Sequence, residues 1–131
     1  MNNKKIGNSF EAELCEILFQ HGFWAHNMAQ NAAGQPADVI AVKNGSAYLI
    51  DCKVCSGKAF SLSRIEENQR SAMKLWHRCS NGDGLFAVKF EERIYMATLN
   101  KLLSATVKNL SEEFFKQCAL TLDEWLAVRD S

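Results

Sequence analysis

The stretch Gln35–Val54, QPADVIAVKNGSAYLIDCKV, determines the fold of this chain. It contains two apolar runs of strand length, joined by Asn44-Gly45. This dipeptide is the preferred loop of a two-residue type I′ turn, because both of its residues must adopt positive φ. The stretch therefore predicts a β-hairpin in which Lys43 faces Ser46.

Two aspartates and a lysine meet on one face of this hairpin. Counting back from the turn, Asp38 faces Asp51 directly and Pro36 faces Lys53. Opposed residues share a sheet face with Cβ atoms roughly 4.5–5.5 Å apart, and alternation puts Lys53 on the same face as Asp51. Like charges opposed in this way destabilise a hairpin, whereas a divalent metal ion between the carboxylates would explain them. The alternative is a salt bridge from Lys53 to one aspartate, with the other solvated.

Length and composition predict one globular domain. A chain of 131 residues can bury a sizeable core without disulfides. Its five cysteines are odd in number and scattered, as expected of reduced thiols. Cys52 and Cys55 would point to opposite faces of a strand and cannot clamp one ion. No apolar run approaches the ~20 residues that span a bilayer, and no secretory signal is apparent, so we expect a cytoplasmic protein.

The charge of the chain gives no overall attraction for nucleic acid, since the formal net charge is zero. A protein that binds phosphates would have to segregate its positive charge onto one face. The sequence allows this, because basic residues flank the first helix and the hairpin while acidic residues concentrate in the second half. Ordinary solvated charges are the alternative. The candidate DNA-binding residues are Lys4, Lys5, Lys58, Arg64 and Arg70.

The first helix is predicted to begin near Asn8 or Ser9, both good N-cap residues, and to end at about Gln20. Its apolar residues recur at helical spacing and form one stripe. Glu11 borders this stripe, whereas the neighbouring glutamates point further toward solvent.

A second helix is predicted after the hairpin. Ser63 and Glu66 match a capping box, which starts a helix that runs to about Cys79. Gln69 falls on the apolar face of this helix, where a side-chain amide needs hydrogen-bond partners. It is either a satisfied core amide or a residue that reaches toward the hairpin site.

The rest of the chain completes a central sheet. Residues 28–34 form a loop, residues 85–98 form a second hairpin that turns at Glu91-Glu92, and the segment from Leu99 is helical in two pieces. A capping box from Thr121 to Glu124 opens the last piece. The predicted order α-β-β-β-α-β-β-α indicates an α/β (α+β) fold with a central mixed sheet flanked by helices.

The combined pattern resembles the PD-(D/E)xK nuclease superfamily. Pro36-Ala37-Asp38 corresponds to the first half of its motif, with Ala37 inserted, and Asp51-Cys52-Lys53 to the second half. Gly7–Leu14 (GNSFEAEL), followed by Gly22-Phe23 and then the hairpin, is similar to the Holliday junction resolvases of this superfamily. Phe60–Ile65 (FSLSRI) with Gln69 is similar to the segment that follows the catalytic lysine in the bacterial resolvases. The resemblance implies a restriction-endonuclease-like core over about residues 4–98, with a C-terminal helical segment over about 99–131.

The resemblance also implies roles for the inward residues. Asp38 and Asp51 would hold Mg²⁺ or Mn²⁺ together with the backbone carbonyl of Cys52. Lys53 would orient or deprotonate the attacking water, or neutralise charge on the phosphate. Glu11 would contact the metal ion through water or hold a second ion, and Gln69 would position the water or the phosphate. The implied reaction is hydrolysis of DNA that leaves a 5′-phosphate and a 3′-hydroxyl.

We expect a metal-dependent endonuclease that resolves four-way DNA junctions as a homodimer, since two strands must be cut symmetrically. Trp24, Phe86 and Trp76 are the candidates for apolar residues at the dimer interface. Two alternatives remain. One is a nuclease of the same fold with a restriction, flap or repair substrate, and the other is a non-catalytic nucleic-acid-binding domain.

Overall fold

The computed structural model describes residues 3–28 and 37–130, and side chains from Ser9 onward. This part of the chain forms five α-helices and eight β-strands. The helices are α1 Asn3–Gln20, α2 Glu67–Arg78, α3 Leu99–Leu103, α4 Glu112–Cys118 and α5 Leu122–Asp130. The strands are β1 Trp24–Asn27, β2 Val39–Lys43, β3 Ser46–Cys55, β4 Ala59–Ser61, β5 Leu85–Phe90, β6 Arg93–Thr98, β7 Asn109–Ser111 and β8 Leu120–Thr121.

A six-stranded sheet in the order β1-β2-β3-β5-β6-β8 forms the centre of the fold. Strands β3 and β5 are parallel, while their neighbours pair antiparallel. The parallel pair is connected through β4 and α2, as parallel strands require a crossover. β4 and β7 form a separate two-stranded sheet. The predicted mixed sheet flanked by helices is confirmed.

Both faces of the central sheet are covered, which gives two buried clusters. The α1 face holds Phe10, Leu14, Ile50 and Trp125, so α1 and α5 form one outer layer. The opposite face is covered by α2, α3, α4 and the small sheet, with Phe115 among its fully buried residues. Strand β3 lies between the two clusters, and its side chains alternate between them.

The first hairpin has the predicted turn. Asn44 and Gly45 have φ of 52° and 79°, and Lys43 pairs with Ser46. Both residues lie in the left-handed region that a type I′ turn demands. This turn sets the register of β2 and β3, and therefore the sheet face on which each side chain of the site lies.

Replacing Gly45 with alanine is expected to destabilise the protein by about 1 kcal/mol, because a Cβ makes positive φ unfavourable. No atom lies within 4 Å of the position of that Cβ, so any loss reports backbone strain and not a clash. Gly57 is the matched control, since it also has open space but no positive φ. Urea denaturation should show a lower midpoint for Gly45→Ala and an unchanged or slightly higher one for Gly57→Ala. Equal losses in the two variants would contradict the turn assignment.

Two predicted helix starts were wrong. Helix α1 begins at Asn3, about five residues before the predicted cap. The predicted capping box at Ser63 does not open α2, because Leu62–Arg64 forms a short 3-10 turn that Ser61 caps through its hydroxyl. The N-cap of α2 is Glu66. Two overlapping capping patterns compete here, and the later one starts the helix.

The C-terminal segment is more divided than predicted. Instead of two helices it contains α3, β7, α4, β8 and α5, and β7 pairs with β4. The capping box of α5 is confirmed, since Thr121 and Glu124 exchange backbone-to-side-chain hydrogen bonds of 2.9 and 3.1 Å. The second hairpin turns between β5 and β6 as predicted.

Two further predictions concern residues outside the described ranges, namely the loop over residues 29–34 and the position of Pro36. Within the described ranges, no helix has the length and apolar character needed to cross a membrane.

Candidate active site

The site lies where β2 meets the middle of β3. The strand pairing begins with Val39 opposite Ile50, and the Asp38 N–H donates to the Ile50 carbonyl at 3.1 Å. Asp38 therefore stands just outside the ladder, so the predicted register holds as far as Val39 and Ile50 and the backbones of Asp38 and Asp51 do not pair. The two side chains nevertheless lie against each other, as predicted. Its carboxylate Oδ2 instead accepts a hydrogen bond from the Cys52 N–H at 2.8 Å, which holds it beside Asp51.

Asp51 is the most deeply buried member of the site, with 1% of its surface exposed. Its Oδ1 accepts a hydrogen bond of 3.1 Å from Gln69 Nε2, and its Oδ2 lies 3.1 Å from Lys53 Nζ. That Oδ2 is buried and makes no hydrogen bond of normal geometry. Lys53 is on the same sheet face, as alternation predicted. The hydrogen bond from Gln69 thus fixes Oδ1 of Asp51, and Oδ2 faces the ammonium group of Lys53.

Glu11 reaches the site from the helix on the opposite side of the sheet. It is 9% exposed and adjoins Phe10, which packs in the α1 layer. Its carboxyl is close enough to Asp38 and Asn27 for side-chain hydrogen bonds. The structure therefore brings Glu11 against Asp38, at the edge of the site.

Gln69 is held in a defined orientation by its own helix. Its Oε1 accepts a hydrogen bond of 3.1 Å from the N–H of the N-cap residue Glu66, so the amide nitrogen must face Asp51. Gln69 is both a satisfied core amide and a residue that reaches the hairpin site, so the two predicted alternatives are both true. The start of α2 thereby fixes the position of one carboxylate oxygen.

Burial and mutual repulsion disfavour the charged forms of two carboxyls. The pKa of Asp51 is raised to about 8, first by burial and then by the nearby Asp38, while Lys53 acts in the opposite direction. Burial likewise raises the pKa of Glu11 to about 8, with a hydrogen bond to Asp38 favouring its protonated form. Three carboxyls within one largely buried region cannot all ionise without a large energetic cost unless a cation compensates them.

The donor set suits a hard divalent cation. In the described part of the chain, no group of three or more His, Cys, Asp and Glu side chains is arranged to ligate one ion. Ions such as Mg²⁺, however, use one or two carboxylates and complete their shell with carbonyl, water and phosphate oxygens. Asp38 and Asp51 would supply the carboxylates, and Oδ2 of Asp51, which makes an ion pair with Lys53 but no hydrogen bond of normal geometry, is a candidate ligand atom. The residues present therefore fit the ion.

The cysteines near the site are structural. Cys52 and Cys55 belong to the buried clusters on opposite faces of the sheet, as alternation predicted. All five cysteines are free thiols. Burial raises the pKa of Cys52 well above its usual value, so this thiol stays neutral beside the carboxylates. Only its backbone can take part in binding an ion.

Of the predicted DNA-binding residues, Lys58 and Arg64 follow β3 in the chain and lie near its end. Lys58 and Arg64 are exposed, and Arg64 donates to the Val54 carbonyl at 3.0 Å. Arg70 is half-buried on α2, directly after Gln69, and its Nε has no hydrogen-bond partner. The backbones of Lys4 and Lys5 lie in the first turns of α1, but their side chains lie outside the described part of the structure.

Sequence reasoning missed two contributors. Asn27 at the end of β1 hydrogen-bonds to Glu11, and the backbone of Glu66 orients Gln69. Asn27 carried no sequence signal, because its contact depends on how β1 pairs with β2. The Glu66–Gln69 spacing did carry one, since it matches the reciprocal capping pattern, but the overlapping Ser63–Glu66 pattern obscured it.

A carboxylate-bearing hairpin in a mixed sheet, completed by an acidic residue from the preceding helix, defines the PD-(D/E)xK class of nucleases, and this chain is one of them. A family model of the archaeal Holliday junction resolvase (Hjc) matches residues 2–128. The chain belongs to this family, and its activity is that of an endonuclease that resolves Holliday junctions. The resemblance seen in the sequence is confirmed.

Solved structures agree on the fold. The chain is similar to Archaeoglobus fulgidus Hjc, described as a Holliday junction resolvase from an archaeal hyperthermophile. The two share 21% sequence identity over 92% of this chain and 95% of that chain, with a TM-score of 0.71. At this identity the likeness shows a common fold. No curated protein sequence matches the chain.

Proposed function

We propose that this resolvase hydrolyses four-way DNA with a divalent metal ion, Mg²⁺ or Mn²⁺, held by Asp38 and Asp51. Nucleases of the resolvase family depend on divalent metal ions. The observation that carries the proposal is the convergence of buried carboxyls beside Lys53, two of them with a pKa raised to about 8. Such an arrangement costs stability when charged, and it makes sense as a site that a cation neutralises.

Each residue has a defined part in this proposal. Asp38 and Asp51 bind the ion together with the backbone carbonyl of Cys52, and Gln69 keeps Asp51 in position through its Oδ1. When bound, the ion polarises the scissile phosphate and lowers the pKa of a water molecule. Lys53 places positive charge next to the reacting phosphate, where negative charge develops. The products carry a 5′-phosphate and a 3′-hydroxyl.

Glu11 acts at the edge of the site in this proposal. Its contact with Asp38 supports a role through water on the bound ion, or at a second ion. Lys4, Lys5, Lys58, Arg64 and Arg70 are proposed to contact DNA phosphates. Lys58 and Arg64 are exposed near the end of β3. Their side chains could therefore contact phosphates of the DNA backbone on one side of the cleaved bond.

We infer that residues 1–131 form one nuclease domain and that it works as a homodimer in the cytoplasm. Both buried clusters share the same central sheet, which supports a single domain. Symmetric cleavage of two strands requires two sites related by a two-fold axis. The prediction that Phe86 lies at the dimer interface was wrong, because this residue is fully buried in the core. Trp24 is exposed, and Trp76 is partly buried against the core.

A junction-cleavage assay tests the proposal. The purified protein is incubated with a synthetic four-way junction, a linear duplex and a flap of equal length, each with Mg²⁺, Mn²⁺ or EDTA. We expect paired, symmetric nicks in the junction only when metal is present. Equal cutting of all three substrates would indicate a nuclease of restriction, flap or repair type. Absence of both cutting and metal binding by calorimetry would indicate a non-catalytic domain.

A further inference from the structure

Two aromatic rings are exposed on β1, the outermost strand beside the site. Trp24 and His26 are two residues apart on this strand, with ring centroids separated by 6.0 Å and planes inclined by 20°. Trp24 is 60% exposed, and His26 is also exposed. Single exposed apolar residues are ordinary on a protein surface. The position of this pair relative to the carboxylates is what gives it meaning.

The pair lies on the same sheet face as the catalytic carboxylate of β3. His26 pairs with Ile40 on β2, and Ile40 pairs with Leu49 on β3. Residues paired across strands share a face, and Asp51 follows Leu49 by two residues, so it shares that face as well. Burial agrees with this assignment, because Ile40 and Leu49 both belong to the cluster on that side.

The distance to the carboxylates suits contact with the same DNA molecule. His26 is separated from Asp51 by two strand spacings of about 4.8 Å and two residues of about 3.3 Å along the strand, which gives roughly 12 Å. Trp24 is two further residues along the strand, which gives roughly 16 Å. Nucleotides in a helical strand follow each other every ~3.4 Å along the axis. DNA with its scissile phosphate at Asp51 therefore passes Trp24 about four to five nucleotides away.

The chemistry of the pair suits a base better than a phosphate. The indole ring of Trp24 carries no positive charge, and its single N–H can donate only one hydrogen bond to a phosphate, whereas both faces of the ring can stack. An exposed aromatic face binds an unstacked base, whatever its sequence, through ring stacking. Linear duplex offers no such base, whereas the branch point of a four-way junction is where base stacks are interrupted.

We propose that Trp24, supported by the stacked ring of His26, is a platform on which an unstacked base at the branch point of four-way DNA rests. This inference depends on the proposed function, because it requires the junction to lie with its scissile strand at Asp51. It assigns Trp24 to recognition of branched DNA, while Asp38, Asp51 and Lys53 carry out cleavage. A second copy of the chain is the rival occupant of this surface.

The test compares aromatic and non-aromatic replacements of Trp24. Binding to a four-way junction and to a linear duplex is measured by fluorescence anisotropy in EDTA, for Trp24→Phe, Trp24→Leu and Trp24→Ala. We expect the Leu and Ala variants to bind the junction about five- to a hundredfold more weakly, with Phe close to wild type, because one base–aromatic stack is lost. Binding to linear duplex should stay unchanged in all three.

Two controls accompany these measurements. Phe19 is 69% exposed but lies on α1, in the layer on the other side of the sheet, so Phe19→Ala should bind both DNAs as wild type does. A junction with 2-aminopurine at the branch point reports stacking directly. Its fluorescence should be quenched by wild type and by Trp24→Phe, and less by Trp24→Leu.

Three results would overturn the inference. The first is a Trp24→Leu variant with wild-type junction affinity and wild-type quenching. The second is an equal loss of affinity for linear duplex. The third is a sedimentation-velocity result in which the wild type is a dimer and the Trp24 variants are monomers. This would show that a second copy of the chain binds the Trp24 surface. Failure of the proposed function looks different, because the wild-type protein itself would then not cleave the junction.

Discussion

Replacing Asp51 with asparagine is expected to abolish junction cleavage while leaving the fold intact. The asparagine keeps the shape of the side chain and can still meet Gln69, but the change removes a carboxylate from the proposed metal site. Without the bound ion, the free energy of the transition state rises by several kcal/mol. This corresponds to a loss of about 10³-fold or more in rate. Single-turnover cleavage of a labelled junction in Mg²⁺ measures it.

The design separates chemistry from folding and from binding. Asp123 on α5 is exposed and remote from the site, so Asp123→Asn is a matched change of charge that should cleave at the wild-type rate. Asp51→Asn should still bind the junction in EDTA, because phosphate contacts from basic residues supply most of the affinity. Cleavage that survives in Asp51→Asn would remove Asp51 from the proposed mechanism.

The hairpin was predictable because its signals are local. Asn44-Gly45 dictates a turn type, the turn dictates the register, and the register places Asp51 and Lys53 on one face. None of these steps depends on the rest of the chain. Gln69 was predictable for a similar reason, since helical periodicity puts it on the apolar side of α2, where it is in fact buried.

What the sequence did not reveal depends on tertiary contacts or on competition between local signals. Asp38 steps out of the ladder at the end of β2, and its hydrogen bond to the Cys52 N–H replaces the expected strand pairing. Strands β4 and β7 are three residues each and exist because they pair with one another. Neither carries a periodic pattern long enough to distinguish a strand from a loop. Phe86 could not be ranked as core or interface until β5 was known to be central.

The two layers of the fold explain how the site is completed. Gln69 comes from the layer that covers the Asp51 face, and Glu11 comes from the layer on the other side. The two layers meet at Asp38, where β2 leaves its regular register with β3, and there Glu11 contacts the hairpin. The site therefore takes side chains from both layers.

The metal-free protein is expected to lose stability as the pH rises from about 6 to 8. Glu11 and Asp51 have a pKa of about 8 in the folded state, well above the value of roughly 4 for such groups in an unfolded chain. Below about pH 4 both are protonated in either state and their full contribution to stability is present. Above that value the unfolded state ionises first, so stability falls until the folded groups ionise near pH 8.

The expected slope is about 1.4 kcal/mol per pH unit for a single group such as Asp51. Urea denaturation in EDTA at pH 6, 7, 8 and 9 measures it, and this range avoids Glu112, whose pKa is lowered to about 2 by Arg93 and Tyr95. Asp51→Asn should flatten the fall, while Asp123→Asn should keep it. A wild-type protein whose stability is constant or rises between pH 6 and 8 would contradict the raised pKa values.

Divalent metal ions should counteract this loss of stability, because they bind the ionised carboxylates of the folded state. A ligand that binds only the native protein stabilises it by mass action, and the gain should grow with pH as Asp51 loses its proton. Adding Mg²⁺ or Mn²⁺ should therefore raise the urea midpoint more at pH 8 than at pH 6 in the wild type, and much less in Asp51→Asn. A metal effect of the same size in both proteins would place the ion elsewhere. Because the readout is stability, it tests the metal site separately from DNA cleavage.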